Sequence, residues 1–394
     1  MNKKKEIVPK FRFPKYVNSE QWISTELSSL LDYERPDLYI VESDNYKNEG
    51  IPVLTANKSF ILGYTDEKNN IYSRVPVIIF DDFTTEKKYV DFPFKVKSSA
   101  IKILKPKGNN VLKFVFELMN TINFEAKEHK RYYISTYQKL FVYVPKDVKE
   151  QQNIADCLSS TDDLIDAESR KLKVLEKYKK GLMQKLFPAE GKTLPEWRFP
   201  EFKHCGNWEQ VTLTKVAFYE NGKAHENYIE EYGKYIVVNS KFIATDGEVT
   251  KHSNTANLLA KRGDILMVLS DVPNGRALAK CYFVDENDKY TVNQRICRLR
   301  PYDIDSLFLF YYVNRNKYFL DFDDGVKQTN LKKSDVLACP LLKPKEKREQ
   351  QKIADCLSEI DTMITEQLKK IERLETHKKG LLQGLFPSLG EVDV

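Results

Sequence analysis

Residues 145–188 read PKDVKEQQNIADCLSSTDDLIDAESRKLKVLEKYKKGLMQKLFP, and residues 344–387 read PKEKREQQKIADCLSEIDTMITEQLKKIERLETHKKGLLQGLFP. They align without a gap at an offset of 199 and agree at 24 of 44 positions, so the chain contains an internal duplication. Apolar residues fall at Ile154, Leu158, Ile165, Leu172, Leu175, Leu182 and Leu186 in the first copy. In the second they fall at Ile353, Leu357, Ile360, Ile364, Ile371, Leu374, Leu381 and Leu385. Spacings of mostly three, four and seven place each set on one helical face, close to the seam of a coiled coil, and these residues are expected to pack the two helices together. Pro145 and Pro344 precede the helices, and Pro188 and Pro387 close them. A helix of roughly 35 residues would be about 50 Å long.

Thr161 and Glu168 interrupt the first seam, and Lys179 and Lys378 occupy core-type positions, which predicts snorkelling side chains or partner contacts. Gly181 and Gly380 predict either a close backbone approach or a frayed last turn.

Outside the helices a second match appears at an offset of 186. Pro9–Pro14 (PKFRFP) corresponds to Pro195–Pro200 (PEWRFP), and Trp22 and Leu27 fall on Trp208 and Leu213. The middles between these anchors and the helices have little evident similarity. The chain therefore divides into a first globular domain (1–145), a helical spacer (146–188), a second domain (189–344), a second spacer (345–387) and a tail (388–394). If each domain keeps its ends close together, the second helix returns along the first. The expected result is an antiparallel helix pair with one domain at each end and approximate two-fold symmetry. Within the domains, runs such as Val75–Phe80 and Tyr235–Val238 read as strands, while Val111–Ile122 and Ser306–Tyr318 have helical character. The fold class is α+β.

A chain of 394 residues, 41% hydrophobic and 30% charged, suits two folded domains. Its net charge of +6 is uneven. Residues 1–147 carry 24 Lys and Arg against 19 Asp and Glu, and residues 189–345 carry 23 against 21. The helical segments carry 8 against 7 (148–188) and 8 against 10 (346–394), so the positive excess lies in the domains, as nucleic-acid binding requires. The basic N-terminus is not followed by an apolar stretch, and runs such as Leu307–Val313 are too short to span a bilayer, which predicts a cytoplasmic chain without membrane contact. The six cysteines lack CxxC spacing, and the adjacent His204 and Cys205 lack two further ligands at finger spacing, so no metal is expected.

Two similar but divergent domains in inverted orientation suit a duplex read at two half-sites, roughly 34–36 Å apart per helical turn. The paired EQQxIADCL segments, the KKGL[ML]QxLFP endings and the WxxxxL starts resemble the specificity subunit of type I restriction-modification systems, and the resemblance covers nearly the whole chain. It implies two target recognition domains that read a bipartite, asymmetric sequence in double-stranded DNA, and helices that dock two methyltransferase subunits. It further implies S-adenosylmethionine in those partners for adenine methylation, and motor-nuclease subunits, using ATP and Mg, that restrict unmodified DNA. This chain would itself be non-catalytic and hold no cofactor. Consistent with that division, the sequence contains no GxxxxGK[ST] phosphate loop, no NPP[FY] motif and no HxE…PCxxC pattern. Asp81-Asp82 and Asp323-Asp324 lack companion acids and read as surface turns.

Candidate DNA contacts are Tyr64, Arg74, Lys87, Lys88 and Lys97 in the first domain. In the second they are Ser270, Asn274 and Arg276 in the stretch SDVPNGR, with Lys327, Gln328 and Asn330 in KQTN. Lys261–Leu266 (KRGDIL) is similar to the family's turn into a core strand, which gives Gly263 and Asp264 structural roles. A fused restriction enzyme is disfavoured because two readers leave no room for catalytic domains. A helical interaction scaffold without DNA binding would explain the helices but not the paired domains.

Overall fold

The protein is described by a computed structural model covering residues 7–57, 59–128 and 130–388. All but the first residue of the expected tail lies outside the described residues. The chain forms two compact units, Met1–Arg170 with Leu368–Val394, and Lys171–Gln367. Each unit therefore contains one sheet domain and a portion of both long helices.

In the first unit the strands are β1 (Ile23–Glu26), β2 (Leu31–Glu34), β3 (Ile51–Leu54), β4 (Ile61–Thr65), β5 (Val77–Asp81), β6 (Lys87–Val90), β7 (Lys95–Val96), β8 (Ile101–Pro106) and β9 (Phe141–Val144). Helix α1 (Leu112–Asn120) precedes β9, and α2 (Val148–Leu186) follows it. An antiparallel sheet has the order β2-β8-β5-β6, a smaller one the order β4-β3-β7, and β1 pairs with β9. The run Val-Ile-Ile-Phe-Asp of β5 is buried throughout because both of its faces are covered. Ile78 and Phe80 join a core with Trp22, Leu104 and Phe114, and the alternate residues Val77 and Ile79 join a second core with Leu54, Tyr72 and Phe94.

The second unit contains β10 (Glu209–Thr212), β11 (Ala217–Asn221), β12 (Tyr235–Val238), α3 (Ser240–Ala244), β13 (His252–Ser253), β14 (Ile265–Val268) and β15 (Ser270–Asp271). There follow β16 (Cys281–Phe283), β17 (Tyr290–Val292), β18 (Ile296–Pro301), α4 (Ser306–Val313), α5 (Lys317–Leu320), β19 (Thr329–Asn330), α6 (Lys333–Leu337), β20 (Pro340–Lys343) and α7 (Lys347–Leu385). Its sheets have the orders β11-β18-β14-β16 and β13-β12-β17, with β10 paired to β20 and β15 to β19. Apart from the β15–β19 pair this repeats the first unit strand for strand, including the one parallel pairing in each small sheet (β3 with β7, β12 with β17). The dissimilar middles thus share one topology. Alternation of burial is retained without residue identity: Ile265 and Met267 face one core, Leu266 and Val268 the other.

The residues identical in both helical repeats make equivalent contacts. Glu150 accepts from Arg12 Nε and Nη2, both at 2.8 Å, and from Trp22 Nε1 at 3.2 Å. Glu349 accepts from Arg198 Nε and Nη2, both at 2.7 Å, and from Trp208 Nε1 at 3.2 Å. The next residue ties down the start of the domain helix: Gln151 Oε1 accepts from Val111 N at 3.0 Å, and Gln350 Oε1 from Asp305 N at 2.8 Å.

Four expectations need correction. Ile154, Leu158 and Leu385 belong to the core of the first domain, and Leu186, Ile353 and Leu357 to that of the second, so the helix ends complete the domains instead of serving only the helix pair. Ile165, Leu172, Leu175, Leu182, Ile364, Ile371, Leu374 and Leu381 are only half-buried. The core-position lysines do not snorkel into water. Lys378 Nζ lies 2.5 Å from Asp162 Oδ1 in the first unit, and Lys179 Nζ lies 2.5 Å from Asp361 Oδ1 in the second. With Lys370 on Glu168 at 2.5 Å, the first unit's helix segments are antiparallel, as connectivity predicts. An added Cβ at Gly181 or Gly380 would meet nothing within 4 Å, and both helices run past them, so neither expectation for these glycines is met. The close approach falls at Gly384, where a Cβ would lie 2.0 Å from the Phe11 ring. Finally, the helix expected over Ser306–Tyr318 breaks after Val313, where Arg315 adopts φ 55° before α5 begins.

Candidate nucleic-acid interface

The far end of each large sheet is built from three chain segments laced by two backbone hydrogen bonds. In the second unit Leu269 N donates to Arg295 O at 2.8 Å, and Leu331 N donates to Leu269 O at 2.8 Å. In the first unit Asp82 N donates to Ala100 O at 2.9 Å, and Tyr132 N donates to Asp82 O at 2.8 Å. The strands are equivalent and the residues are not. A shared backbone frame with different side chains is what two readers of different base sequences need.

On the second unit's frame the structure unites both candidate stretches. Ser270 and Asp271 pair with Asn330 and Thr329. Gln328 Nε2 donates to Ser270 Oγ at 2.7 Å and to Asn330 Oδ1 at 3.3 Å. Asp271 Oδ2 accepts from Ala277 N at 2.6 Å and Leu278 N at 3.1 Å, closing the SDVPNGR loop, while Asn274 N donates to Asp323 Oδ2 at 3.2 Å. Asp324 accepts from Val326 N and Lys327 N, and these bonds hold its carboxyl below the ordinary range. Asp323 and Asp324 therefore serve as turn formers. Asn274 adopts φ 55°, a left-handed conformation suited to a tight loop. Arg276 and Lys327 are exposed and have no ion-pair partner among the described residues. Gly263 adopts φ 87°, and buried Asp264 binds Arg300 through both carboxylate oxygens at 2.8 and 2.7 Å, giving this turn the structural role expected of it.

In the first domain the five candidates are distributed among several clusters. Lys87 and Lys88 open β6, which is an edge strand, and burial lowers the pKa of Lys87. Lys97 precedes the turn to Ala100 but is bound to Asp44, a bond that raises its pKa. Arg74 is engaged by Glu34 at 2.6 Å and by Tyr39 OH at 2.8 Å. Tyr64, on β4, exchanges backbone bonds with Lys47. Asp81 and Asp82 do lie at a turn, Asp81 Oδ1 accepting from Phe83 N at 3.0 Å and Thr84 N at 2.9 Å, but not at the surface: both are buried, and Asp82 pairs with Lys102 at 3.0 Å.

The frame also identifies residues that sequence reasoning missed. Subtracting 199 from Lys327–Asn330 gives residues 128–131, whose Lys130 and Arg131 lead directly into Tyr132. Arg131 lies 5.8 Å over the Phe83 ring in the turn after β5. The two runs share no identical residue at this offset, so only the backbone frame brings them into correspondence. Arg295, exposed at φ 67°, was also missed, for no motif marks it. Among the described residues no group of three His, Cys, Asp or Glu is placed to hold a metal ion, and no helix is long and apolar enough to cross a membrane.

The sequence pattern of the type I restriction modification DNA specificity domain matches residues 206–376, from just before β10 into α7. The type I restriction enzyme EcoR124I/EcoR124II specificity subunit of Escherichia coli is 35% identical over 252 residues, covering 60% of this chain and 61% of that relative. Residues 206–376 thus resemble a type I DNA specificity domain. The MjaVIII specificity subunit of Methanocaldococcus jannaschii is 27% identical over 260 residues, 61% of this chain and 60% of its own length. The aligned stretches thus span about three-fifths of these specificity subunits. The S subunit of a type I restriction-modification system from M. genitalium superposes over 98% of this chain and 100% of its own, with TM-score 0.66 at 17% identity, a likeness of fold. A chain from a study of complex assembly and conformational transition of the type I R-M system covers 93% of this chain and 98% of its own, with TM-score 0.54 at 13% identity.

Proposed function

We propose that this chain is the DNA-reading subunit of a type I restriction-modification complex, non-catalytic in itself. Each domain reads one half of a bipartite, asymmetric duplex target. The observation that carries this reading is the shared end frame, Leu269–Arg295–Leu331 and Asp82–Ala100–Tyr132, which presents Ser270, Asn274, Arg276, Lys327, Gln328 and Asn330 in one domain and Lys130 and Arg131 in the other. Base discrimination by side chains on a fixed scaffold requires this combination of constant backbone and variable surface.

Chemistry then comes from partners: two methyltransferase subunits that bind S-adenosylmethionine and methylate adenines, and motor-nuclease subunits that use ATP and Mg. Mapping methylated adenines in cells with the methyltransferase partner, with and without this chain, tests the reading. One split motif with a fixed gap is expected. A formed complex with no new methylation and no duplex binding would leave a helical scaffold as the function and overturn this one.

A further inference from the structure

An open groove runs beside edge strand β11, formed by two hollows of about 460 and 400 Å³ that meet at Tyr219, Glu220 and Lys333. At one end Phe218 and Tyr302, both exposed, hold their rings 4.7 Å apart. At the other lie Lys223 and Asn257. Lys223 follows Gly222, whose N–H binds Ile296 O, while its own N–H binds Val292 O, which brings it to the turn carrying Arg295. Lys333 opens α6, two residues after the frame residue Leu331. The groove therefore starts at the candidate interface.

Its floor contains Arg298, 8% exposed. Arg298 Nη1 donates to Leu259 O at 2.5 Å and Nη2 pairs with Glu220, but Nε has no hydrogen-bond acceptor. Asp264 Oδ2, 3.8 Å from Nε, is engaged by Arg300 at 2.7 Å. Burial, then the neighbouring Arg300, lowers the Arg298 pKa to about 10. Lys223 and Lys333 are exposed and have no ion-pair partner among the described residues; Lys333 lies 5.6 Å over the Tyr219 ring. Four cations thus share Glu220 and Asp264, with Asp288 acting on Arg300 as well.

In the first domain strand register keeps one of these cations, Lys105 standing on Arg300, but not the others. Strand register sets Tyr33 and Glu34 on Tyr219 and Glu220, but Asp32 replaces Phe218 and Ile103 replaces Arg298. At the helical offset, Ile134 replaces Lys333.

We propose that this groove holds the phosphodiester backbone of one strand of the bound duplex beside the second domain's half-site, with Lys223 and Lys333 on phosphates and the Phe218–Tyr302 pair against deoxyribose. The proposal rests on the DNA-reading function above. A linear array of cations ending in exposed rings matches the alternation of charge and apolar surface along a nucleic-acid strand.

The test uses the assembled methyltransferase complex and a duplex carrying its mapped motif, titrated across salt. Lys223→Gln/Lys333→Gln should lower the slope of log affinity against log salt by about 2, weaken binding on the order of tenfold, and leave the methylated motif unchanged. Lys203→Gln/Lys241→Gln removes two exposed charges elsewhere in the domain and should leave the slope within experimental error of wild type. An unaltered slope in the groove variant overturns the groove while leaving the DNA-reading function intact. An equal fall in both variants also overturns it, since net charge alone would then suffice. A wild-type complex that binds no duplex overturns both.

Discussion

Lys179 Nζ meets Asp361 Oδ1 at 2.5 Å, and the same aspartate accepts from Tyr311 OH at 2.7 Å, so one carboxylate joins the two helices of the second unit to its domain. The internal repeat supplies the counterpart: Lys378 on Asp162, with Lys113 also 3.2 Å from Asp162. These half-buried pairs fix helix register where the seam is only half-buried. Asp361→Asn should destabilise the second unit by about 1–2 kcal/mol, discounted from the fully buried case for partial exposure. Lys179→Met/Asp361→Leu should recover most of that loss, because it leaves no unpaired charge. Denaturant unfolding of the four species measures this, and purely additive losses would contradict a coupled pair.

Arg12 and Glu150 form a more buried clamp, with side chains 6% and 2% exposed. Glu150→Gln should cost about 3 kcal/mol by stranding a buried guanidinium, and Glu349→Gln should do the same to Arg198. Because each clamp closes its own unit, hydrogen exchange should loosen the first unit in one variant and the second in the other. Loosening of both units by either variant would show that the units do not open separately.

Much of this architecture was legible in the repeat. The residues that match at the helical offset are those that make matching contacts: Glu150 and Glu349, Gln151 and Gln350, Asp162 and Asp361. What could not be read is which surface covers an apolar stripe. Ile154 and Ile353 have seam spacing, yet they pack into domain cores, because periodicity reports a buried face without naming its neighbour. Asp81-Asp82 misled in part for a related reason: adjacent acids mark the turn correctly, but their burial depends on tertiary contacts such as the pairing of Asp82 with Lys102. The domain middles diverge in identity while keeping alternation, so their common topology was invisible at the level of residue matches.

Glu34 provides a pH signature in the first domain. Burial opposes its ionisation, but hydrogen bonds from Lys105 and Tyr39 outweigh this, and its folded pKa lies below the unfolded value. Its contribution is therefore present above the unfolded carboxylate range and is lost as pH falls through the folded value. The stability gap between wild type and Glu34→Gln should be constant near neutrality and close in acid. A gap that widens in acid would reverse the assigned sign.

Arg276→Ala and Arg131→Ala should act on different halves of the target. Each side chain stands on its own domain's end frame, so each variant should relax base preference in one half-motif by about 1–3 kcal/mol per lost base contact and leave the other half intact. Arg74→Ala should change neither, because Glu34 and Tyr39 already occupy that guanidinium. Methylation mapping distinguishes these outcomes, and a motif unchanged by Arg131→Ala would remove Arg131 from the interface.

Replacing residues 1–145 with the corresponding domain of a type I specificity subunit is the broadest test of independent readers. The graft has fixed requirements. Trp22 and Phe114 pack against Phe386, just past the end of α7, with ring centroids 6.2 and 5.4 Å apart, and Phe11 N donates to Gly384 O at 2.7 Å. A donor that supplies an aromatic at positions 22 and 114, and an arginine for Glu150, should rebuild the first unit on the existing helices. The methylated motif should then change in one half only. A change in both halves would mean that the second domain's surface depends on the first, contrary to a reading in which each end frame stands on its own sheet.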